Sequence, residues 1–268
     1  MRKSLLMVLG AVTAMTAFSA VIQGTVMTEG DSKTGIVKWN RRAKTYTISQ
    51  KQGAAVIDVE VAAAEVTDLD IAKPAGIDAA IAQVEKGQGA AAIGLLSGIV
   101  KEYDHLQWDK IAGRYLVEAY LAANKGEEAL KAAQAIISAD PGAAFVGELA
   151  PAYWTALLKL GKKELLKKML TKAAGSGDRF SSGAAFTLRG DMIMQEGGES
   201  ADAAKKALAD GYLRVVLMYT DAPVAAKLRP EALYKAAQCF EKLGQSSRAE
   251  AMRGELKKNY AGSSWAMK

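Results

Sequence analysis

Apolar and polar positions alternate with a period of two between Val21 and Ile71, and from Ile77 to Ala261 they follow helical spacing instead. The first region contains five short runs, VIQGTVM, GIVKW, KTYTIS, AVIDVEV and EVTDLDI, separated by turn-rich pieces, and these predict five strands. Val37 and Trp39 share one face, Tyr46 and Ile48 alternate with threonines, and Ile57, Val59 and Val61 alternate with Asp58 and Glu60. Glu29–Lys33 and Gln50–Gly53 are polar, Gly-bearing stretches of hairpin-loop length. A sheet of this size is expected to curl into a small barrel-like domain over residues 21–73, burying Val26, Val37, Tyr46, Ile48 and Val59 and removing exposed edges. Pro74 and Gly76 mark its end.

Beyond that boundary the pattern predicts helices only. A unit recurs, an amphipathic helix, a short polar turn with Gly or Asn, and a second helix; its clearest copies span Gly113–Pro141 and Leu233–Ala261. Ala92, Ala129, Leu166, Leu208 and Ala249, taken as one position of the second helix, lie 37, 37, 42 and 41 residues apart. The uneven spacing implies insertions, one of them at Glu196–Ser200, where the turn of the fourth copy is expected to be longer. Tyr103, Tyr219 and Tyr260 follow the register point by eleven residues and are expected to cap one hairpin against the next. The fold class expected for the chain is α+β multidomain, a five-stranded barrel-like domain followed by an all-α helical solenoid over residues 74–268.

Leu116, Tyr120, Ala129 and Pro141 in the second copy, and Ala237, Phe240, Gly244 and Ala249 in the fifth, fall where tetratricopeptide repeats carry their small, aromatic and closing residues. The helical region resembles that family over Ile77–Ala261, although the first copy lacks the aromatic of its first helix and the third has Leu166 where Ala is usual. The resemblance implies a curved array whose groove is lined by first helices. It carries groove roles to Arg114 and Glu118, to Thr155, to Thr187 and Asp191, and to Tyr234 and Gln238. These do not match the Lys, Asn and Arg pattern of the two-carboxylate clamp in chaperone-binding members. The Gly35-x-Val37-x-Trp39 strand and its neighbours resemble SH3-like or Sm-like small barrels, folds that host many activities.

Composition adds the compartment. With 50% hydrophobic and 24% charged residues the chain is that of a globular protein. Arg2 and Lys3, the apolar Leu5–Phe18 and the small Ser19 and Ala20 read as a signal peptide over residues 1–20, which would export the protein to the periplasm or the outer membrane of a bacterium. An uncleaved anchor is the alternative, because Leu5–Ile22 is 18 residues long. Loss of Arg2 and Lys3 leaves 33 basic against 29 acidic residues, a mild excess that calls for no nucleic acid. The most basic face, Lys163, Lys167 and Lys168, would allow contact with anionic glycan or lipid, with Leu165, Leu166, Met169 and Leu170 pointing inward.

No catalytic, metal or cofactor constellation emerges. His105 is the single histidine and Cys239 the single cysteine, too few for a transition-metal site or an internal disulfide, and a Ser-His-Asp triad would have to use His105 with no Gly-x-Ser-x-Gly elbow to accompany it. His105 is expected in a loop and Cys239 in helix packing. Phosphate-loop and dinucleotide motifs are missing from the sequence. The expected function is a non-catalytic envelope scaffold or adaptor that binds a protein or peptide partner in the groove. The alternative is a cell-wall or surface-glycan binder that uses the β domain and an exposed Trp39, with the repeats as spacer or oligomerisation module.

Overall fold

The computed structural model describes residues 21–268; the signal peptide expected over residues 1–20 lies outside the described residues. The chain divides into two compact units, one ending at Ala72 and one running Lys73–Lys268.

The first unit is an antiparallel sheet of five strands, β1 (Gln23–Thr28), β2 (Asp31–Asn40), β3 (Thr45–Gln52), β4 (Ala55–Ala62) and β5 (Val66–Ile71), in the order β4-β3-β2-β1-β5. A single 3-10 turn, Ala63–Glu65, carries the chain from β4 to β5. The sheet is open, with β4 and β5 at its two edges, so the expected closure is not made by strand pairing. Only Glu29 and Gly30 form the first hairpin turn, Gly30 at φ +85°, and the polar residues from Asp31 onward are already strand. Val26, Val37, Tyr46 and Ile48 are buried as the alternation predicts. Val59 pairs with Ile48 but is only half-buried, whereas Val61 beside Tyr46 is buried. As an edge strand, β4 has cover from one neighbour only, and burial there falls off toward the hairpin tip, leaving Val56 67% exposed.

The second unit contains eleven α-helices among the described residues. They are α1 (Ile77–Glu85), α2 (Gly89–Glu102), α3 (Trp108–Ala122), α4 (Gly126–Ala139), α5 (Leu149–Lys159), α6 (Lys163–Ala174), α7 (Arg179–Gly197), α8 (Ala201–Ala207), α9 (Leu213–Met218), α10 (Val224–Lys242) and α11 (Ser246–Asn259). A π-helical turn, Leu208–Tyr212, joins α8 to α9, so these act as one rod. The helices form five pairs, α1 with α2, α3 with α4, α5 with α6, α7 with the α8–α9 rod, and α10 with α11.

Every pair is closed by a turn of three residues. In four of them the middle residue is left-handed, Gly87 at φ +76°, Asn124 at +59°, Gly161 at +65° and Gly244 at +68°. The next residue, Gln88, Lys125, Lys162 or Gln245, then donates its N–H to the carbonyl five positions back, of Gln83, Tyr120, Leu157 or Phe240. This satisfies carbonyls that the first helix leaves open and reverses the chain. The fourth turn, Gly198–Ser200, has the same length, and Ser200 caps α8 through its hydroxyl, which accepts from the Ala203 N–H at 3.2 Å.

The shared geometry corrects the repeat register. Ala92, Ala129, Leu166 and Ala249 are each the fourth residue of a second helix, and in the fourth pair that place belongs to Ala204, not Leu208. All five are buried, and they lie 37, 37, 38 and 45 residues apart. The Glu196–Ser200 stretch is not an insertion, since α7 runs through Gly197; the surplus falls between Ala204 and Ala249, where the π turn lies. Tyr103 and Tyr219 are buried and Tyr260 is half-buried.

Successive first helices touch, α1 with α3, α3 with α5, α5 with α7, and α7 with α10. One apolar cluster runs through α3 to α11, centred on residues such as Val117, Trp154, Leu157, Leu166, Leu170 and Leu233. Trp154 is fully buried, and its indole N–H donates to the Ala144 carbonyl at 2.8 Å.

Candidate partner-binding face

Each first helix can be numbered backward from the three-residue turn that ends it. Five residues before the turn stand Glu118, Thr155 and Gln238; nine before it stand Arg114, Pro151 and Tyr234. In α7 the equivalent places hold Ile193 and Arg189, not Thr187 and Asp191. Two residues turn a helix by about 200°, so Thr187 and Asp191 do not share the helix face of Arg189 and Ile193, and Asp191 points toward Lys235 of α10 instead. Thr187 is accordingly 3% exposed and lines no surface. Arg189 is half-buried, its guanidinium 5.6 Å from the Phe186 ring.

A chain of charges ties the middle of α3 to the N-terminal ends of α5 and α10. Arg114 donates through Nε to Glu118 Oε1 at 3.1 Å and also pairs with Glu148, the residue before α5. Glu148 in turn accepts from Lys227 Nζ of α10 at 2.7 Å. One carboxylate thus links α3 to α10 across α5. The hydrogen bond from Lys227 holds the Glu148 carboxyl below its usual range, with Arg114 adding to it against partial burial. Glu118 is raised, because burial outweighs the attraction of Arg114. Next to Glu148 lies a cavity of about 200 Å³, lined by Gly147, Asp178, Phe180, Pro223, Val224 and Lys227 as well.

A second cluster joins α7 to the π turn and α10. Asp191 Oδ1 accepts from the Tyr212 hydroxyl at 2.8 Å and Oδ2 from Lys235 Nζ at 2.7 Å, while Lys235 also reaches Glu231 at 2.5 Å. Burial, reinforced by Asp191, pushes the Tyr212 phenol up. For Lys235 burial pulls the pKa down, but Glu231 and Asp191 together outweigh it and the ammonium is held. A cavity of about 210 Å³ lies against this cluster, bounded further by Met194, Gln238, Cys239 and Lys242. The Glu231 and Lys235 pair was readable as an i, i+4 couple; the Tyr212 to Asp191 contact depends on packing across 21 residues and leaves no local signal.

The remaining sequence-predicted groups are committed within the unit. Thr155 bonds back to the Pro151 carbonyl at 2.8 Å, and Gln238 donates to the Tyr234 hydroxyl at 3.2 Å. Lys163 pairs with Glu196 at 3.4 Å and Lys167 with Glu164 at 3.1 Å, while Lys168 is exposed. Leu166, Met169 and Leu170 point inward as expected, but Leu165 is 39% exposed, standing on the lysine side of α6. His105 sits in the α2–α3 connection at φ +59°, its main-chain N–H held by Asp109 at 3.0 Å. Trp39 is half-buried, with its ring tilted on Tyr46 at 4.8 Å, and so belongs to the packed side of the sheet instead of standing exposed for a glycan.

Cys239 is 2% exposed, and its thiol is pushed up to about 11 by burial and then by Asp191. At pH 8 its thiolate fraction is about a hundredfold below that of an ordinary thiol. Alkylation by iodoacetamide should be slower in the folded protein by at least that factor than in urea; equal rates would remove the buried placement.

Compared with known proteins, the chain matches no family model, no curated protein and no solved structure. Among the described residues no helix is long and apolar enough to cross a membrane.

Proposed function

We propose that this protein is an exported, non-catalytic scaffold or adaptor of the bacterial envelope, in which the helical unit is a tetratricopeptide-like solenoid and its first helices receive a protein or peptide partner. The observation that carries the reading is the fivefold recurrence of a helix hairpin closed by a turn of three residues, with first helices abutting in series. The five-stranded unit is taken as an SH3-like or Sm-like module; the return of β5 to β1 is the step by which a meander begins to curl.

Recognition would be passive. The polar groups on the receiving side are already paired with one another, Arg114 with Glu118 and Glu148, and Gln238 with Tyr234. A partner therefore gains little from merely exchanging these hydrogen bonds, and affinity has to come from apolar and aromatic contact with the stems and rings. Lys163, Lys167 and Lys168 lie on α6, a second helix, and would reach anionic glycan or lipid from elsewhere on the unit.

A photo-crosslinking amino acid at Thr155 or at Gln238, introduced in the full chain and activated in cells, is expected to trap one discrete protein. The same residue at Glu250, exposed on α11, should not. Equal adducts from all three sites, or none from Thr155 and Gln238, would overturn the adaptor reading.

A further inference from the structure

The segment that follows α11, Tyr260–Lys268, folds back onto α10 and sets Trp265 against Tyr234, ring centroids 5.4 Å apart. Lys235 Nζ stands 5.6 Å from the same indole, and Lys268 Nζ lies 3.6 Å from it on the segment's own side. Tyr234 is one of the first-helix positions assigned above to a partner, and Gln238 fixes its hydroxyl at 3.2 Å. An element of the chain therefore already occupies part of the receiving side.

How that segment is held says what the seat recognises. Beyond the Tyr260 N–H bond to Leu256 O at 3.0 Å, which continues α11, its hydrogen bonds stay within itself: Ser263 N–H to Tyr260 O at 2.9 Å, Ala266 N–H to Ser263 O at 3.0 Å, and Trp265 N–H to Ser263 Oγ at 3.2 Å. None of these reaches α10. Met267, between the two docked side chains, is 77% exposed. The seat thus reads an indole, through Tyr234 and the Lys235 ammonium, and a cation three residues later that covers the indole and approaches the Tyr234 ring at 6.0 Å. Trp265 and Ala266 pack against the apolar cluster of the unit; with no backbone pairing to α10, the segment also draws on the high local concentration its tether supplies, and a second segment with the same side chains can compete for the same contacts.

We propose that the Tyr234–Lys235 seat on α10 is a binding site for a partner segment carrying a tryptophan followed three residues later by Lys or Arg, and that Tyr260–Lys268 fills it in the unbound protein. The proposal rests on the adaptor reading for the identity of the receiving side, and it names the partner's chemistry. It predicts that access to the seat is set by displacement of the chain's own Trp265.

The test uses the full chain and a fluorescent peptide of residues 263–268, Ser-Ser-Trp-Ala-Met-Lys, followed by anisotropy. Trp265→Ala should bind the peptide at least tenfold more tightly than the wild type, and Tyr234→Ala added to Trp265→Ala should abolish the gain. Equal affinity for wild type and Trp265→Ala, or a gain that survives Tyr234→Ala, overturns the proposal. Hydrogen exchange on the unaltered protein needs no substitution to fold: saturating peptide should speed exchange of the amides of residues 263–268, and unchanged exchange overturns displacement. A concentration-dependent dimer of the wild type that Trp265→Ala abolishes would give the seat to a second copy and overturn the partner assignment. Peptide binding by purified protein and crosslinking in cells fail independently, so loss of one leaves the other standing.

Discussion

Trp154→Ala should destabilise the helical unit by about 3–5 kcal/mol, more than any other single truncation proposed for it. Trp154 is 0% exposed, and the cluster around it draws on helices from α3 to α11. Truncation removes the largest fully buried side chain of the unit and also leaves the Ala144 carbonyl, its partner at 2.8 Å, without a donor. Ala144 ends the short 3-10 turn that leads toward α5, so the indole pins the approach of α5 as well as its packed side. Trp154→Phe separates the two contributions, since it keeps most of the apolar volume and loses only the hydrogen bond and part of the ring; it should fall between wild type and Trp154→Ala. Urea denaturation of the full chain measures both. A loss below about 1 kcal/mol for Trp154→Ala would mean that α5 does not run through the middle of the pairs. The consequence reaches the candidate face, because α5 carries Thr155 one residue on and begins beside Glu148, which joins α3 to α10.

Five strands, a boundary near Ala72 and a series of helix hairpins were legible because each rests on local periodicity, and periodicity survives whatever packs against it. Burial of Val59 against Val61 was not, because it depends on β4 being an edge, a fact of pairing and not of β4's own sequence. The fourth repeat shows the same limit at close range. Gly197-Gly198 has the composition of a loop, yet Gly197 closes α7, where a Cβ would stand 2.4 Å from that of Ala203, and only Gly198 enters the turn, at φ +60°. The two glycines answer different needs, one for close approach and one for backbone freedom, and sequence alone gives them one appearance. Taking both as loop moves the register from Ala204 to Leu208 and gives Thr187 and Asp191 places that Arg189 and Ile193 hold. Where no glycine pair intervened, in α3, α5 and α10, the assigned positions Arg114, Glu118, Thr155, Tyr234 and Gln238 do stand at equivalent places. Their partners were illegible for a different reason: Glu148, Lys227, Tyr212 and Trp265 reach them from other elements.

Gly211→Ala should lower stability by about 2–3 kcal/mol, while Gly254→Ala should raise it by about 0.5–1 kcal/mol. Neither glycine has the left-handed backbone that would by itself demand the residue, so the contrast isolates space. A Cβ on Gly211 would lie 2.7 Å from Gly190 Cα, 2.8 Å from Gly190 N and 2.9 Å from the Phe186 carbonyl oxygen. All three are main-chain atoms of α7, which no change of rotamer can move, so α7 and the π turn must part. A Cβ on Gly254 meets nothing within 4 Å, and alanine there gains helix propensity at no steric cost. Parting the elements also has a chemical consequence. Tyr212, the next residue, gives its hydroxyl to Asp191 at 2.8 Å, and its raised phenol pKa depends on burial in that contact. In Gly211→Ala the tyrosine absorbance change on alkaline titration should therefore gain a group ionising nearer the ordinary range, in a protein that is still folded. If instead Gly211→Ala unfolds at the wild-type denaturant concentration and its titration is unchanged, the two elements do not meet as closely as described. The Asp191–Lys235 link, which sets Lys235 beside Trp265, would then need another support.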